Sequence, residues 1–508
     1  MNMLDFLSVA SPSDEATAVT LTDGRVLTYK ELRILTTRCR RSLQVPRKGL
    51  IAVNGPRTLE GLACYLAALA DGQTVFLCED SDPTLWEDFV NLYKPDVVVA
   101  KGLGALDALL ERAGYEHVTD GEVPVWRRSA GYAGAIHSSL GMLIRTSGSI
   151  GAPKMVRLSY RNLSANAIAI CKALGLRGTD RISASLPMDF SFGLSLVNSA
   201  FTVGASIALC TWSASSDLFW QYADHVHSTC VGAVPVTYRF LRSRGWDPRD
   251  HPSLRLLLHA GGPLDDQTVR YYAARLPGPD GGFFSMYGQT EATARITCLA
   301  ASLAEAYAGS SGRAIPGSEI TIQRPDGTLA GDGEEGEIIV RGPGVMMGYA
   351  NQRDDLAAGD IQGSTLNTGD LGYLREDLLY VTGRKDRQVK ILGRRVNLQE
   401  VEVAIAAYGV TAAAETIGEE RILIVTDDPL GARRACREIG RKAGLPPGAL
   451  SVVPVQDLPS SRTGKTDYRA VRRILDSQQP KKLGDPRLKL RSSSVPQKKL
   501  PAETFASP

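Results

Sequence analysis

The feature that most constrains this fold is a recurring unit, a short apolar run ending in glycine or proline and followed by a helical stretch. GLIAVNGPR (49–57), QTVFLC (73–78), PDVVVA (95–100), TCVGAVP (229–235) and LRLLLHAGG (254–262) are such runs. EGLACYLAALADG (60–72) and GALDALLERAG (104–114) are helical stretches of the kind that separate them. A strand with one wet face alternates apolar and polar residues; these runs do not, so both faces are covered. The pattern predicts an α/β protein whose parallel-rich sheets lie under helices. From about residue 316 the texture changes to alternating strands with acidic turns, and a smaller α+β unit begins near 384.

The run from Phe192 to Trp212 is long enough to suggest a membrane span. Ser195, Asn198, Ser199, Thr202 and Ser206 interrupt it, and no Lys or Arg flanks it closely, so a buried helix followed by a buried strand is expected. The N-terminal MNMLDFLSVASPSDE has acids where a signal peptide needs bases, which points to the cytoplasm. Eight cysteines never form a C-x-x-C pair and six histidines show no H-E-x-x-H spacing, so a reduced protein without structural zinc is expected. His225-x-His227 reads as a polar surface segment rather than a metal pair.

Charge excludes another class. The net is +3, but residues 478–508 hold seven Lys/Arg against two Asp/Glu, which leaves the rest slightly acidic. The body has no basic field suited to nucleic acid, and the Lys/Pro/Ser-rich tail is expected to be disordered.

Two phosphate-loop look-alikes fail on chemistry. GDGEEG (331–336) matches G-x-G-x-x-G, yet three acids would repel a pyrophosphate, so it reads as a turn. SSRTGKT (460–466) ends like a Walker loop, but Pro459 stands at the first glycine position with no N–H to donate. LIRTSGSIGAPKMV (143–156) is different. Its glycines free backbone N–H groups to face an anion, its hydroxyls donate to phosphate oxygens, and Lys154 offsets charge.

In order after it come HAGGPL (259–264), MYGQTEAT (286–293), LNTGDLGYL (366–374), GRKDRQVKILGRRVNLQEVE (383–402) and PSSRTGKTDYR (459–469). The series resembles the AMP-forming acyl/aryl ligase superfamily, which includes acyl-CoA synthetases, carrier-loading adenylation domains and firefly luciferases, with weaker similarity over about residues 17–476. The resemblance implies a large N-terminal AMP-binding domain (1–383) that includes a distorted β-barrel. It also implies a small mobile C-terminal domain (384–477), followed by the tail (478–508).

It implies chemistry as well. A carboxylate attacks the α-phosphorus of ATP, pyrophosphate leaves, and the acyl-adenylate passes to a thiol. An anion must approach a polyanion, so catalysis is positioning and charge neutralisation. On the family pattern Thr146, Ser147, Gly148, Ser149, Gly151 and Lys154 hold the β/γ-phosphates. Glu291 helps hold Mg²⁺, and Thr290 contacts the α-phosphate. Gly261, Gly262 and Tyr287, with Gly288 beside them, line the adenine. Asp370 accepts the ribose hydroxyls with Arg384 as its partner. Lys465 bridges the acid and the α-phosphate. Asp386 is the hinge, and Gly393 and Arg395 serve the thioester-forming state, Gly393 leaving room for pantetheine.

Two residues depart from the pattern. Ile150 stands where the family has Thr or Ser, and Met155 replaces a glycine. Lys465 follows Asp386 by only 79 positions, a compact C-terminal domain. PMDFSFGLS (187–195) occupies the substrate-pocket region, with Phe190 or Phe192 where a His is common and Gly193 beside them. Asp189 suits either an ammonium counter-ion or a cap of the following helix. A small carboxylic acid is the implied substrate, with ATP and Mg²⁺ as cofactors. CoA is the acceptor expected; carrier-protein pantetheine, an amine, and a non-catalytic member stay open.

Overall fold

The computed structural model describes residues 13–79, 83–100, 104–119, 121–129, 134–145, 155–276, 281–391, 394–417, 421–442, 448–460 and 465–478. The apolar runs form two large sheets. One has eight strands, with Thr74–Cys78, Leu50–Asn54 and Val97–Val99 parallel at its centre. The other has nine, with Cys230–Ala233, Leu256–His259 and Gly282–Tyr287 parallel at its middle.

Helices fill the space between the sheets. Leu59–Ala70, Tyr160–Leu174 and Ser191–Val203 share one buried cluster with Val53 and Met142 of the first sheet and Ile207 and Leu256 of the second. Covered on both sides, Leu59–Ala70 has no polar stripe to show. Outer helices close the remaining faces. Trp86, Phe89 and Leu110 pack on Phe76 and Leu50 of the first sheet. Phe219, Tyr238 and Tyr272 pack on Val231, Leu257 and Phe283 of the second. Along Leu256–His259, Leu256 and Leu258 face the middle layer and Leu257 faces outward, the period of two.

The run that suggested a membrane span is a buried helix, Ser191–Val203, followed by the buried strand Ser206–Ala208. Among the described residues no helix is long and apolar enough to cross a membrane. His225 ends the helix Asp217–His225, and His227 follows in a left-handed turn, so neither lies on a strand. GDGEEG is the turn between antiparallel strands Glu319–Gln323 and Gly336–Arg341, where Glu334 pairs with Arg324 at 2.5 Å. Those strands, with Thr365–Arg375 and Leu378–Arg384, form a four-stranded antiparallel sheet in the region expected as a barrel.

Arg157 is fully buried and sews the edge strand Gly348–Ala350 onto the first sheet. Its guanidinium donates to the carbonyls of Met347 (2.9 Å), Tyr349 (3.2 Å), Ala358 (2.6 Å) and Gly359 (3.2 Å).

Beyond residue 387 the chain builds apolar clusters of its own, one around Ile391, Leu398 and Ile424 and one around Val425 and Val471. The short segment joining these parts is anchored on both sides. Arg384 reaches back to Asp370 at 3.2 Å. Arg387 reaches forward to Glu402 at 2.6 Å and Glu415 at 3.1 Å, with its guanidinium over the Tyr468 ring.

Candidate active site

Parallel strands leave a crevice beyond their C-terminal ends, where no partner element completes the layer. Here Ala233, His259 and Tyr287 end neighbouring strands. The loops that follow carry Val234, Gly261 and Thr290, and Asp370 arrives from the antiparallel sheet.

Asp370 is 7% exposed and surrounded by donors. The Tyr287 hydroxyl donates to Oδ2 at 2.6 Å, Gln289 Nε2 to the same oxygen at 3.3 Å, and Arg384 Nη1 lies 3.2 Å from Oδ1. Burial raises its pKa, while the Arg384 charge and the Tyr287 bond oppose the rise. The Tyr287 hydroxyl, expected near the base, is thus directed to this carboxylate. Gln289 had not been singled out in the sequence.

Gly288 has a packing reason to be glycine. A β carbon there would lie 1.9 Å from the Ala294 carbonyl oxygen, so the loop after the strand can fold back only over a bare backbone. That reversal presents Thr290 and Glu291. Thr290 Oγ1 lies 3.3 Å from Ser191 Oγ, and the Tyr349 hydroxyl donates to Glu291 Oε1 at 2.8 Å. Tyr349 belongs to the other large sheet, so this bond spans the cleft.

Lys465 enters from the C-terminal unit. Its Cε is 3.6 Å from where a Gly261 β carbon would sit, with Val234 Cγ1 at 3.4 Å from the same point. The side chain is open to the cleft, yet protein on all sides thins the water around it and lowers its pKa. Asp370 and Glu291 pull that pKa back up, and Arg384 pushes it further down. Gly262 lies beside Pro235. Asp386 pairs with Arg384 Nε at 3.0 Å.

Thr146, Ser147, Gly148, Ser149, Ile150, Gly151 and Lys154 lie outside the described residues, as does Gly393. Arg395 is placed only as backbone, in the strand Arg394–Asn397. Met155, the other departure from the pattern, is 3% exposed and packs in the cluster of Phe76, Leu143 and Met347, where a glycine would leave a void.

The segment 187–195 divides in the structure. Phe190 is the N-cap residue of the Ser191–Val203 helix, without a side-chain capping bond. Gly193 faces backbone rather than a pocket, since a β carbon there would meet the Pro187 carbonyl oxygen at 2.1 Å. Asp189 is not the cap. Its Oδ2 accepts the Glu79 backbone N–H at 3.2 Å, and burial, with Glu79 beside it, raises its pKa to about 6.

Phe192 is half-buried, and its ring covers a residue the motifs did not single out. The Arg295 guanidinium carbon lies 4.0 Å from the ring centroid. Arg295 is 2% exposed, its Nε contacts Met286 Sδ at 3.3 Å, and Nη2 has no partner among the described residues. Burial draws its pKa down to about 9, still a cation at neutral pH. A buried ion without a counter-charge costs several kcal/mol. The signal in the sequence was an arginine within a run of mostly small residues, EATARIT.

The family model for an AMP-binding enzyme matches residues 7–350. The chain belongs to the AMP-binding enzyme family. Within it, a 2-succinylbenzoate–CoA ligase of Bacillus cereus is 32% identical over 291 residues, covering 57% of this chain and 58% of that one. The ligase of the same name from Bacillus subtilis (strain 168) is 30% identical over 323 residues, 62% of this chain and 64% of that one. The chain thus spans about three fifths of the length of these curated relatives. Two solved structures share the AMP-binding fold over nearly the whole chain. Bacillus subtilis o-succinylbenzoate CoA synthetase (MenE) with its acyl-adenylate intermediate superposes with TM-score 0.72 at 23% identity, covering 92% of this chain and 97% of that one. ATP-bound MatB from Rhodopseudomonas palustris gives 0.75 at 21%, covering 93% and 99%.

Proposed function

We propose that the protein is a cytoplasmic AMP-forming ligase that converts a small carboxylic acid to its acyl-adenylate and passes the acyl group to a thiol, CoA in the first instance. The observation that carries this reading is Lys465, brought by the C-terminal unit to Gly261 within the influence of Asp370 and Glu291. A lysine there neutralises charge as the acid's carboxylate nears the α-phosphate. Asp370, already oriented by Tyr287 and Arg384, accepts the ribose hydroxyls. Thr290 donates to the α-phosphate, and the loop 146–154 takes the outer phosphates. Glu291, steadied by Tyr349, is the carboxylate that would hold magnesium. When bound there, magnesium would supply charge neutralisation.

The named relatives are CoA ligases, which favours CoA as acceptor. The compact stretch from Asp386 to Lys465 favours a second reading, transfer to a carrier-protein pantetheine. ATP–pyrophosphate exchange across a panel of acids tests the first half-reaction, and exchange with none of them overturns it. Mass spectrometry of products formed with CoA or with a pantetheinylated carrier separates the two acceptors.

A further inference from the structure

We propose that Ser191 is a second hydroxyl donor to the α-phosphate, paired with Thr290, and so a further catalytic residue of the adenylation step. This rests on the adenylation reading and adds to it a residue that the motif series does not contain.

Ser191 does nothing that its own helix needs. It opens the helix Ser191–Val203 one position after the N-cap residue Phe190, and so misses the place from which a serine would cap. Its hydroxyl accepts from Thr290 Oγ1 at 3.3 Å and donates to no acceptor among the described residues. That separation is long for two hydroxyls, whose oxygens ordinarily stand about 2.7–2.8 Å apart when bonded. Nearby serines are used more tightly. Ser195, on the same helix, donates to the Phe192 carbonyl at 2.7 Å, and Ser185 donates to the Gly232 carbonyl at 2.8 Å. Two hydroxyls joined by one long bond, with a hydrogen to spare, are matched to a stronger acceptor. A charged phosphate oxygen is such an acceptor, with bonds roughly twice as strong as neutral ones.

Position supplies the second half. Strands Arg181–Ser183, Cys230–Ala233, Leu256–His259 and Gly282–Tyr287 lie side by side and parallel. The chain leaves all four at the same edge, and the segments that follow carry Ser191, Val234, Gly261 and Thr290. Ser191 thus shares the crevice with Lys465, whose Cε lies 3.6 Å from the β-carbon position at Gly261. The turn that presents it is held from two sides. Gly193 packs bare backbone against the Pro187 carbonyl, and the Met188 N–H donates to Glu79 Oε1, just beyond the first sheet, at 3.0 Å. Ser191 and Thr290 are 99 residues apart in the chain, so the fold alone brings their hydroxyls together. Both are half-buried, open enough to reach a ligand. Charge on the α-phosphate shifts as the carboxylate closes on phosphorus, and donors already in place lower that barrier without reorganisation.

The test titrates the full chain with AMP and with adenosine, which differ by the phosphate alone. Ser191→Ala should weaken AMP by about tenfold or more, the worth of a hydrogen bond to a charged group, and leave adenosine within about twofold. Alanine is a good helix former, so the melting temperature should hold. Ser191→Thr keeps the hydroxyl and should retain most of the AMP affinity. In a double-mutant cycle with Thr290→Val the two losses should not add, because both hydroxyls hold one group. In ATP–pyrophosphate exchange with an acid that supports it, kcat of Ser191→Ala should fall by a factor similar to the AMP loss. Unchanged AMP affinity or unchanged kcat in Ser191→Ala overturns the proposal. So does an equal loss for AMP and adenosine, which would make Ser191 a structural residue, and full additivity would dissolve the pair. A wild type that binds AMP no better than adenosine instead overturns the adenylation reading itself, and that measurement involves no variant.

Discussion

On the N-terminal side of the cleft Asp370 is buried and held by Tyr287, Gln289 and Arg384 before any ligand arrives, whereas the C-terminal side reaches the same cleft through Lys465 on a unit with separate apolar clusters. One side is preorganised by its own fold. The other depends on where a second body sits. On the adenylation reading proposed above, the difference makes nucleotide affinity and adenylation rate separable, since they draw on groups with different mechanical support.

The largest effect should come from the second body itself. Arg387→Ala strands Glu402, which is buried and also accepts the Tyr468 hydroxyl at 2.6 Å. Removing one partner of a buried pair costs about 3–5 kcal/mol. Limited proteolysis should then cut first beyond residue 387 while ATP binding persists; loss of ATP binding at the same rate would erase the contrast between the two sides.

Lys465→Ala should slow acyl-adenylate formation by roughly 10²–10³ and leave the ATP dissociation constant within about twofold. Thioester formation from supplied acyl-adenylate should continue. Near-normal adenylation would remove Lys465 from the chemistry. Asp370→Ala should show the reverse, a weaker ATP complex by about 1.5–3 kcal/mol for each hydroxyl bond lost. Isothermal titration measures it, and an unchanged constant would take Asp370 out of the nucleotide site.

The smallest effect concerns Asp189. Its folded pKa, about 6, lies above the ordinary 3.8, so the folded state holds its proton more tightly than the unfolded chain. Stability is therefore lost as pH rises from about 4 to about 6 and stays lower above that. Asp189→Asn should recover up to about 3 kcal/mol at pH 7.5 and little at pH 4. A gain equal at both values would assign the effect to packing instead.

Much of this was legible beforehand because the information was local. Apolar runs without alternation could only be two-sided strands, and the serines within 192–212 argued against a membrane helix. The motif series brought Asp370, Arg384, Glu291 and Lys465 to one cleft. What escaped depended on three-dimensional neighbours. No spacing rule says that Tyr287 turns its hydroxyl to a carboxylate 83 residues away, or that Gly193 is glycine because of the Pro187 carbonyl. Met155 looked like a lost glycine in a loop and is a buried strand residue. Arg295 escaped for the plainest reason: exposure is the default for arginine, and only the surrounding layers show that it is enclosed.

The fold-back at Gly288 has an evolutionary consequence. Because the Ala294 carbonyl presses on a residue without a side chain, the reversal that presents Thr290 and Glu291 is set by main-chain shape. Residue 295 hangs just beyond it, fixed by its peptide groups to Asn166. Mutation can therefore exchange the side chain at 295 while the Thr290 hydroxyl and the Glu291 carboxylate keep their places. One end of the loop can thus vary by single steps while the other end is carried along unaltered.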